Sequence, residues 1–506
     1  MEIVMRKILL RTFIIFTIVA AFGFFACGRS GSKPVTVTLL LLGNKPANGR
    51  AEAAIAEINK ITSERIGAVL QTQYIEWTDW QSQYQLAMAT GNTEIDLVIT
   101  GDWLEVWRIV QRGGFYPLTP ELLQTNAPKT WEAIPASHWE VCSKDGKIWF
   151  IPEDQFSQFT NHGMFWRKDW AREGGLEDIA KFEDLEKYWD IVKVNHPEAF
   201  PWDVSGMGQY SPHFFYGYIQ GKLPVQMIMD VHLFHYDVND PYTAISFLME
   251  GDELIEAARL FDRWSKKGFW RTDMLNYTGD TGNLFIAGLS GSNAHHTNSY
   301  IEMRATMDRE QPGSEIQMFY YGKENGNVNR DLIYHGAMAI NGASRNVEKA
   351  LRMYDLLRND KQIYLLYNYG IEGRDYIVNS DGTFSQPPGF NPVTDGLGTN
   401  FWGGRMDEFE PVWDTWWSGR KAFLEYIGSI AQDYPLSKFV FDNSKVSAEL
   451  AAINDVMTIH IPALQFGKTN NPDKAVADFR TALRQAGYER VRAELQSQLD
   501  VFKTQL

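Results

Sequence analysis

Residues 35–100 read VTVTLLLLGNKPANGRAEAAIAEINKITSERIGAVLQTQYIEWTDWQSQYQLAMATGNTEIDLVIT. The strongly apolar run at 35–42 is typical of a buried strand, and further strands are predicted at 68–75 and 94–100. A helix is predicted after each of the first two strands, the second of them at about 79–89. One face of the first helix would carry Ala51, Ala54, Ile55, Ile58 and Ile61. This alternation predicts an α/β fold with a mostly parallel sheet covered by helices on both faces.

The residues just after each predicted strand are the first candidates for a ligand site, because ligands in such sheets bind beyond the carboxyl ends of the strands. These candidates are Asn44, Trp77, Asp79, Trp80, Asp102 and Trp103. Their carboxylates and amide would bond sugar hydroxyls, while the indole faces would stack on the C–H groups of a sugar ring. In the structural alternative, Asp79 and Asp102 are N-caps of the helices that follow, and the tryptophans pack on the core.

Tryptophan is abundant but unevenly distributed. The chain has 17 Trp, and all of them lie between Trp77 and Trp417. Trp202 and Trp402, like the strand-end tryptophans, lie in polar or glycine-rich surroundings that suit a sugar face. Trp402 is predicted to line a ligand cleft, because the glycines of NFWGGR (400–405) would leave its ring face accessible.

The amino terminus has the pattern of an export signal. Basic residues precede and interrupt an apolar stretch at 8–25, which is followed by Ala26 and Cys27. This pattern resembles the lipobox of bacterial lipoproteins, which implies removal of a signal peptide at 1–26 and lipidation of Cys27. The Gly/Ser/Lys-rich segment 27–34 would then be a flexible linker to a membrane-anchored, extracytoplasmic domain, periplasmic or at the cell surface. The alternatives are a simple secretory signal or an uncleaved anchor, with Cys27 incidental.

Composition narrows the classes of partner. The chain has 63 acidic and 48 basic residues, for a net charge of −15, which becomes −17 without residues 1–26. This charge disfavours nucleic acid and anionic lipid as partners and favours a neutral or cationic ligand. If Cys27 is acylated, Cys142 is the sole remaining cysteine, so no intrachain disulfide is expected.

No metal site or cofactor is predicted. The adjacent pair His295 and His296 would point apart, and His232 and His235 lack an acidic partner at ligand spacing. The chain also lacks an HExxH motif, a P-loop, a GxGxxG loop and a GxSxG elbow.

Several segments, in order, resemble one protein family. They are IEWTDWQSQYQLAMATGNTEIDLVIT, DGKIWFIPED, MFWRKDWA, AINGASRNVEKALRMYDLL, YNYGIEGRDYIVNSDGTF, NFWGGR and FVFDNSKVSAELAAINDVMTIHIPAL. Together they resemble the ABC-transporter extracellular solute-binding protein family 1, in its LipO-like lipoprotein subset with a characteristic C-terminal domain of unknown function. The likeness covers about residues 35–500, although Arg345 and Val347 replace the Lys and Pro usual at one helix start.

The resemblance implies a type II periplasmic-binding-protein-like fold with two α/β lobes, each discontinuous in sequence and joined by hinge strands. Lobe 1 would hold 35–150 with 315–360, and lobe 2 would hold 151–314 with 361–445. The C-terminal helices, 446–506, would pack on the lobes. Further ligand contacts from lobe 2 are predicted to be Trp166, Tyr210 and Trp270.

The resemblance also implies a function without chemistry. The chain would be a monomeric substrate-binding lipoprotein that captures a solute, an oligosaccharide above all, and delivers it to the permease of an ABC importer. Glu372, in the loop GIEGRDY, is a further candidate contact, with a surface pair between Glu372 and Arg374 as its structural alternative.

Two competing functions stay open at this point. One is a secreted carbohydrate-active hydrolase using acids such as Asp407, Glu408 and Glu410, since such enzymes need two carboxyl groups beside the scissile bond. These three acids, however, lie in one hydrophilic run that is more simply a solvated loop. The other is a ligand-sensing lipoprotein that presents its closed form to a membrane receptor.

Overall fold

The structure is a computed structural model that describes residues 33–505 except 79, 90, 156–161, 205–212, 229–232, 278, 280 and 329, and except the side chains of 213, 392 and 393. Its strands are β1 (Val35–Leu42), β2 (Ala68–Ile75), β3 (Leu97–Thr100), β4 (Ser143–Lys144), β5 (Lys147–Ile148), β6 (Ile151–Pro152), β7 (Gly163–Arg167), β8 (Val225–Met227), β9 (His235–Asp237), β10 (Asp240–Ile245), β11 (Ser292–His295), β12 (Ile316–Tyr320), β13 (Ala337–Ile340), β14 (Ile377–Val378) and β15 (Phe384–Ser385). Cys27, the signal segment and most of the linker lie outside the described residues, as do Asp79, Tyr210 and His232.

The helices come from both halves of the chain. They are α1 (Arg50–Ile66), α2 (Trp80–Ala89), α3 (Val106–Gln111), α4 (Pro120–Asn126), α5 (Pro128–Ala133), α6 (Ala136–Val141), α7 (Lys168–Glu173), α8 (Asp184–Asn195), α9 (His213–Lys222), α10 (Glu253–Lys267), α11 (Thr281–Ile286), α12 (Thr297–Glu310), α13 (Val347–Asn359), α14 (Lys361–Tyr369), α15 (Pro392–Asp395), α16 (Arg420–Ile430), α17 (Ser447–Gln465), α18 (Pro472–Gln485) and α19 (Tyr488–Lys503). No helix in the described ranges is long and apolar enough to cross a membrane.

The first lobe is built on a five-stranded sheet of order β2-β1-β3-β13-β6. Strands β1, β2 and β3 are parallel, with Val35 opposite Ala68, whereas β13 is antiparallel to both β3 and β6. Every residue of β3 and β13 is buried, as expected for strands covered on both faces. The predicted α/β alternation is therefore confirmed, and β1 and β2 have the predicted bounds.

The second lobe contains two smaller antiparallel sheets, β11-β7-β12 and β10-β9-β8. The assignment of 315–360 to lobe 1 is wrong for β12, which pairs with β7. The assignment of 361–445 to lobe 2 is wrong for its first part, because α14 packs on α1 and Asp375 pairs with Arg50. Pairing partners and packing partners are long-range properties that the residues of a single strand or helix do not encode.

Three segments connect the lobes. Among the described residues they are 153–155 and 162 between β6 and β7, 321–328 and 330–336 between β12 and β13, and 406–416 on the way back to lobe 2. The last passage ends where Trp417 and α16 join the core around Phe165 and Tyr300. The C-terminal helices then pack on lobe 2, with α18 against α10 and α19 against β10.

Candidate functional site

Four predicted tryptophans from three separate segments meet at the carboxyl edge of the first sheet. Trp77, Trp80, Trp103 and Trp402 form a closed ring of neighbours, which we call the open tryptophan cluster. Ring centroids are 6.2 Å apart for Trp77 and Trp80, 5.3 Å for Trp80 and Trp103, 5.9 Å for Trp103 and Trp402, and 5.8 Å for Trp402 and Trp77. Trp77 is 41% exposed, and the other three indoles are partly buried against the core.

Strand ends place three of these rings. Trp77 follows β2, and the side-chain carbonyl of Asn44, from the loop after β1, accepts a hydrogen bond from the Trp77 amide at 3.3 Å. Trp80 is the first residue of α2, and Trp103 lies in a 3-10 turn directly after β3. Because β1, β2 and β3 are parallel, their carboxyl ends bring these residues to the same edge.

Trp103 packs against His335, near the end of the lobe connection between β12 and β13. Its indole N–H donates to the carbonyl of His335 at 2.9 Å, and a Cβ on Gly101 would lie 2.2 Å from that same carbonyl oxygen. Position 101 therefore has to be glycine for the two segments to approach this closely. The indole plane is in this way fixed by a contact between residues more than two hundred positions apart.

Asp102 is turned inward and pairs with His335, with its Oδ1 2.8 Å from the imidazole Nδ1. Burial alone would lower the pKa of His335, but Asp102 and Asp331 outweigh it and raise that pKa to about 9. The Asp102 side chain is only 4% exposed and also accepts from the Trp103 amide at 2.8 Å. Asp102 thus orients the tryptophan beside it. Its carboxylate is buried and already paired with His335, whereas the predicted sugar contact requires an accessible carboxylate.

Trp402 is positioned by a buried ion pair. Glu153 Oε1 accepts from the amides of Gly403 and Arg405, each at 2.9 Å, and the Arg405 guanidinium bonds both Glu153 oxygens at 2.9 and 2.7 Å. The Glu153 amide in turn donates to the carbonyl of Gly336 at 3.0 Å. Glu153 therefore joins two distant segments to its own, the loop of Gly403 and Arg405 through its carboxylate and Gly336 through its backbone amide.

The facing wall, from lobe 2, carries three histidines. The rings of His295 and His296 have centroids 4.3 Å apart, so the prediction that they point apart is wrong, and His162 lies 5.5 Å from His295. Burial lowers the pKa of His295 to about 4 and that of His296 well below its usual value, and positively charged His335 adds to both effects. Within the described residues, no group of three or more His, Cys, Asp or Glu side chains is arranged to hold a metal ion.

Two acidic side chains, those of Glu302 and Glu410, lie near Arg405. Glu302 of α12 reaches solvent, yet burial between the walls raises its pKa, with Arg405 opposing and Glu410 adding to the shift. Glu410 accepts hydrogen bonds from the hydroxyls of Tyr364, at 2.5 Å, and Tyr369. The interpretation of 407–410 as a solvated loop therefore holds for exposed Asp407 and Glu408 but is wrong for Glu410.

Two tryptophans predicted from lobe 2 lie in its core. Trp166 is 1% exposed in the middle of β7, and Trp270 is 3% exposed with its indole N–H donating to the Phe466 carbonyl at 3.1 Å. Neither ring has the open face that stacking on a sugar requires. Glu372 is exposed on a lobe 1 loop, but the predicted pair with Arg374 is wrong, because Arg374 bonds Asp375 at 2.6 Å.

Some residues of the site carried no local sequence signal. Glu153, Arg405 and His335 lie in unremarkable loops, and their contacts span more than two hundred residues. Arg405 belongs to NFWGGR, so the segment that drew attention through Trp402 also contained its anchor. The sequence argued against a metal site at His295 and His296, and it carried no signal for their position near His335.

A cavity of about 330 Å³ lies elsewhere, at the amino end of β3, and is lined by residues that include Met88, Gly91, Arg112 and Asn341. It has no aromatic side chain among its lining residues. The open tryptophan cluster lies at the opposite end of the same strand. Exposed indole edges beside hydrogen-bonding groups suit the alternating polar and apolar surface of a sugar, so we take the cluster as the candidate binding site.

Known proteins resemble this chain over most of its length. Residues 435–504 match a family model described as a domain of unknown function (DUF3502). The chain is 24% identical over 503 residues to a carbohydrate ABC transporter substrate-binding protein of Streptococcus pneumoniae serotype 4, covering 95% of this chain and 96% of that protein. The resemblance to solute-binding proteins with this C-terminal domain is confirmed.

Solved structures share the fold. The N-glycan transport solute binding protein NgtS of Streptococcus pneumoniae, in complex with Man1GlcNAc, is 19% identical with a TM-score of 0.74, covering 92% of this chain and 99% of that chain. The substrate binding protein FusA of the same species, in complex with kestose, is 16% identical with a TM-score of 0.65, covering 93% and 100%. These likenesses show that the chain has the predicted two-lobed, type II solute-binding fold.

Proposed function

We propose that this chain is the substrate-binding lipoprotein of an ABC importer and that it captures a neutral oligosaccharide between its lobes for delivery to a permease. The observation that carries the proposal is the open tryptophan cluster, in which Trp77, 41% exposed, presents its ring beside three further indoles. The cluster lies where an α/β sheet places its ligands. The exposed part of the Trp77 ring offers a stacking surface for a sugar.

The relatives support the ligand class. NgtS and FusA are named for complexes with Man1GlcNAc and kestose, both uncharged saccharides, and the curated relative is named as a carbohydrate-binding component of a transporter. The net charge of −15 also favours a neutral ligand over an anionic one. Function as a binding protein accordingly requires no chemical step on the sugar.

The three lobe connections are proposed to be the hinge. Lobe 1 would consist of 35–152 with 337–405, and lobe 2 of 163–320 with 417–445, with the C-terminal helices packed on lobe 2. Closure would bring the wall with His295 and Glu302 toward the open tryptophan cluster. Hinge closure of this kind sequesters a ligand without altering it.

Membrane attachment through Cys27 is part of the proposal, with the chain on the extracytoplasmic face of the cell membrane as a monomer. A Cys27→Ser variant should lose lipid labelling and appear as soluble protein with unchanged sugar affinity, since the linker separates anchor from fold. Membrane retention of the variant would show that the apolar segment is an uncleaved anchor.

Sugar binding is tested with the wild-type protein freed of its anchor. Titration with malto-, manno-, xylo- and fructo-oligosaccharides should change intrinsic fluorescence saturably for at least one series, and that sugar should raise the melting temperature as its concentration rises. The sugar recovered after long incubation should be unchanged. Silence towards all four series, together with a response to peptides or cationic solutes, would contradict the ligand class.

A hydrolase is the one competing activity with a specific observation behind it. Burial raises the pKa of both Glu302 and Glu410, and a general acid in such enzymes needs a raised pKa. Two tyrosine hydroxyls donate to Glu410, however, so that carboxyl group is held by the protein. A hydrolase would release shorter saccharides in proportion to the amount of protein, and the Glu302→Gln variant would release none. That result would contradict the transport proposal and favour hydrolysis.

A further inference from the structure

Trp416 and Arg420 form an unusual pair on the third lobe connection. The Arg420 guanidinium carbon lies 3.7 Å from the centroid of the Trp416 ring, so the two planar groups are in close contact. Trp416 lies at the end of segment 406–416, and Arg420 is the first residue of α16. The same segment also contacts lobe 1, because the ring of Trp413 lies 6.0 Å from the ring of Tyr369.

Arg420 lacks the partners that other stacked arginines have. Its Nε is buried without a hydrogen-bond partner, and it forms no ion pair with any residue in the described part of the chain. Arg304, in contrast, lies 5.3 Å over the neighbouring Trp417 and bonds Asp308 at 3.0 Å and the Ile316 carbonyl at 2.7 Å. Arg420 as a residue is only partly buried, so its terminal N–H groups, which have no acceptor among the described residues, can bond an acceptor that arrives with a ligand.

The surroundings of Arg420 indicate the charge of that ligand. Asp407 and Glu410 are close enough to oppose the lowering of the Arg420 pKa that burial causes. Glu302, on α12 of the same lobe as Arg420, is a third carboxyl group and is close enough to Glu410 for the two to interact. An additional anion would meet these acids, whereas hydroxyl and ring oxygens of a neutral saccharide can accept from the guanidinium without that repulsion.

We propose that Arg420, supported by Trp416, binds a second saccharide unit of the ligand at a subsite separate from the open tryptophan cluster. No ring contact joins Trp416 to any of the four indoles of the cluster among the described residues. Arg405 of the Trp402 loop interacts electrostatically with Glu302 and Glu410, and Glu410 in turn interacts with Arg420. This inference rests on the proposed function, and it adds that the ligand is an extended oligosaccharide.

The experiment measures affinity against ligand length. Wild-type protein, Arg420→Met and the matched control Arg304→Met are titrated with disaccharide to hexasaccharide members of the malto-, manno-, xylo- and fructo-oligosaccharide series. Arg420→Met should weaken binding of the long members by about tenfold or more while changing the shortest bound member by less than about twofold. Arg304→Met should lower the melting temperature and leave the ratio between long and short members as in wild type.

Each other outcome overturns the inference. Equal weakening at every length, or no weakening, would mean that Arg420 does not serve a separate subsite. Tighter binding of a uronic-acid oligosaccharide that Arg420→Met abolishes would make the site an anion site instead. If wild-type protein binds no saccharide, the proposed function fails and the subsite with it. If Arg420→Met folds poorly, Arg420→Lys is used instead, because it keeps the charge but loses the planar guanidinium. Its affinities for long and short saccharides are compared in the same way.

Discussion

Two clusters of four tryptophans in this molecule differ in almost everything but their composition. The open tryptophan cluster lies at the edge of lobe 1. A second set in lobe 2, which we call the buried tryptophan cluster, consists of Trp189, Trp202, Trp264 and Trp270. Trp189 is 5.9 Å from Trp202, 5.1 Å from Trp264 and 6.3 Å from Trp270, and none of the four is more than 3% exposed.

The buried cluster satisfies its polar atoms within the protein. Trp189 donates to the Ser292 hydroxyl at 2.8 Å, Trp264 to Glu186 at 2.9 Å and Trp270 to the Phe466 carbonyl at 3.1 Å. In the open cluster, the indole N–H of Trp103 bonds His335 while the ring of Trp77 is left facing solvent. The comparison teaches that position at a strand end, rather than abundance of tryptophan, distinguishes the partly exposed cluster from the core.

The largest effect should come from the buried cluster. Trp264→Ala would remove a fully buried indole that packs on Phe182, Trp189 and Phe261, and we expect a loss of about 3–5 kcal/mol in the free energy of unfolding. Denaturant unfolding measures this loss. Sugar affinity per folded molecule should be unchanged, and a clear fall in affinity at full folding would break the distinction between the clusters.

The second-largest effect is expected at Glu153, where one substitution should lower both stability and sugar affinity. Glu153→Gln leaves Arg405 without its buried partner and loosens the loop that holds Trp402, so we expect about 3 kcal/mol of destabilisation together with weaker sugar binding. Unfolding and titration are measured on the same samples. Glu140→Gln, which breaks the exposed pair with Lys438, is the matched control and should cost less than about 1 kcal/mol.

A binding effect without a stability effect is expected at the exposed ring. Trp77→Ala should weaken sugar binding by about 1–3 kcal/mol, because the ring would lose its stacking contact with the ligand, and should change the free energy of unfolding little. Leu289→Ala, at the same 41% exposure on lobe 2, controls for loss of a surface side chain. Unchanged affinity with a strongly lowered melting temperature would place Trp77 in the core.

The smallest effect concerns pH. The folded pKa of His335 is about 9, above its usual value of about 6.5, so the stabilisation by Asp102 is fully present below about pH 6.5. It is lost as the pH rises through about 9, with a change on the order of 1 kcal/mol for this partly exposed pair. Urea unfolding across this range measures the slope, and His335→Gln should flatten it. An equal slope in the variant would assign the pH dependence to other groups.

Much of lobe 1 could be predicted from local sequence. The apolar runs of β1 and β2 define their bounds, and the residues after β2 and β3 were expected to meet because parallel strands end at one edge. Trp77, Trp80 and Trp103 are brought together as that rule requires, and Trp402 joins them from a distant segment. Whether these four rings bind sugar stays a prediction.

Lobe 2 shows where local reasoning ends. Trp270 and Trp202 have polar neighbours in sequence, yet Phe466 of α17's end covers both rings, a contact across about two hundred residues. Trp166 lies in β7, the central strand of its sheet, and its ring packs against buried Tyr188 with 5.8 Å between the ring centroids. Strand β12 pairs with β7 and not with the first sheet. This choice also depends on long-range packing, which a short stretch of sequence does not reveal.

Trp402 and Arg405 are only three residues apart, so one short loop carries both a ring of the candidate binding site and the ion pair with Glu153 at the first lobe connection. Ligand affinity and the equilibrium between lobe orientations are then linked quantities, and each shifts the other by the same free energy. If the proposed function holds, a substitution at Glu153, whose side chain is 3% exposed, should change the dissociation constant by altering how often the binding-competent orientation is populated. Affinity for the proposed sugar ligand would then be tunable at the lobe connections while the open tryptophan cluster stays the same.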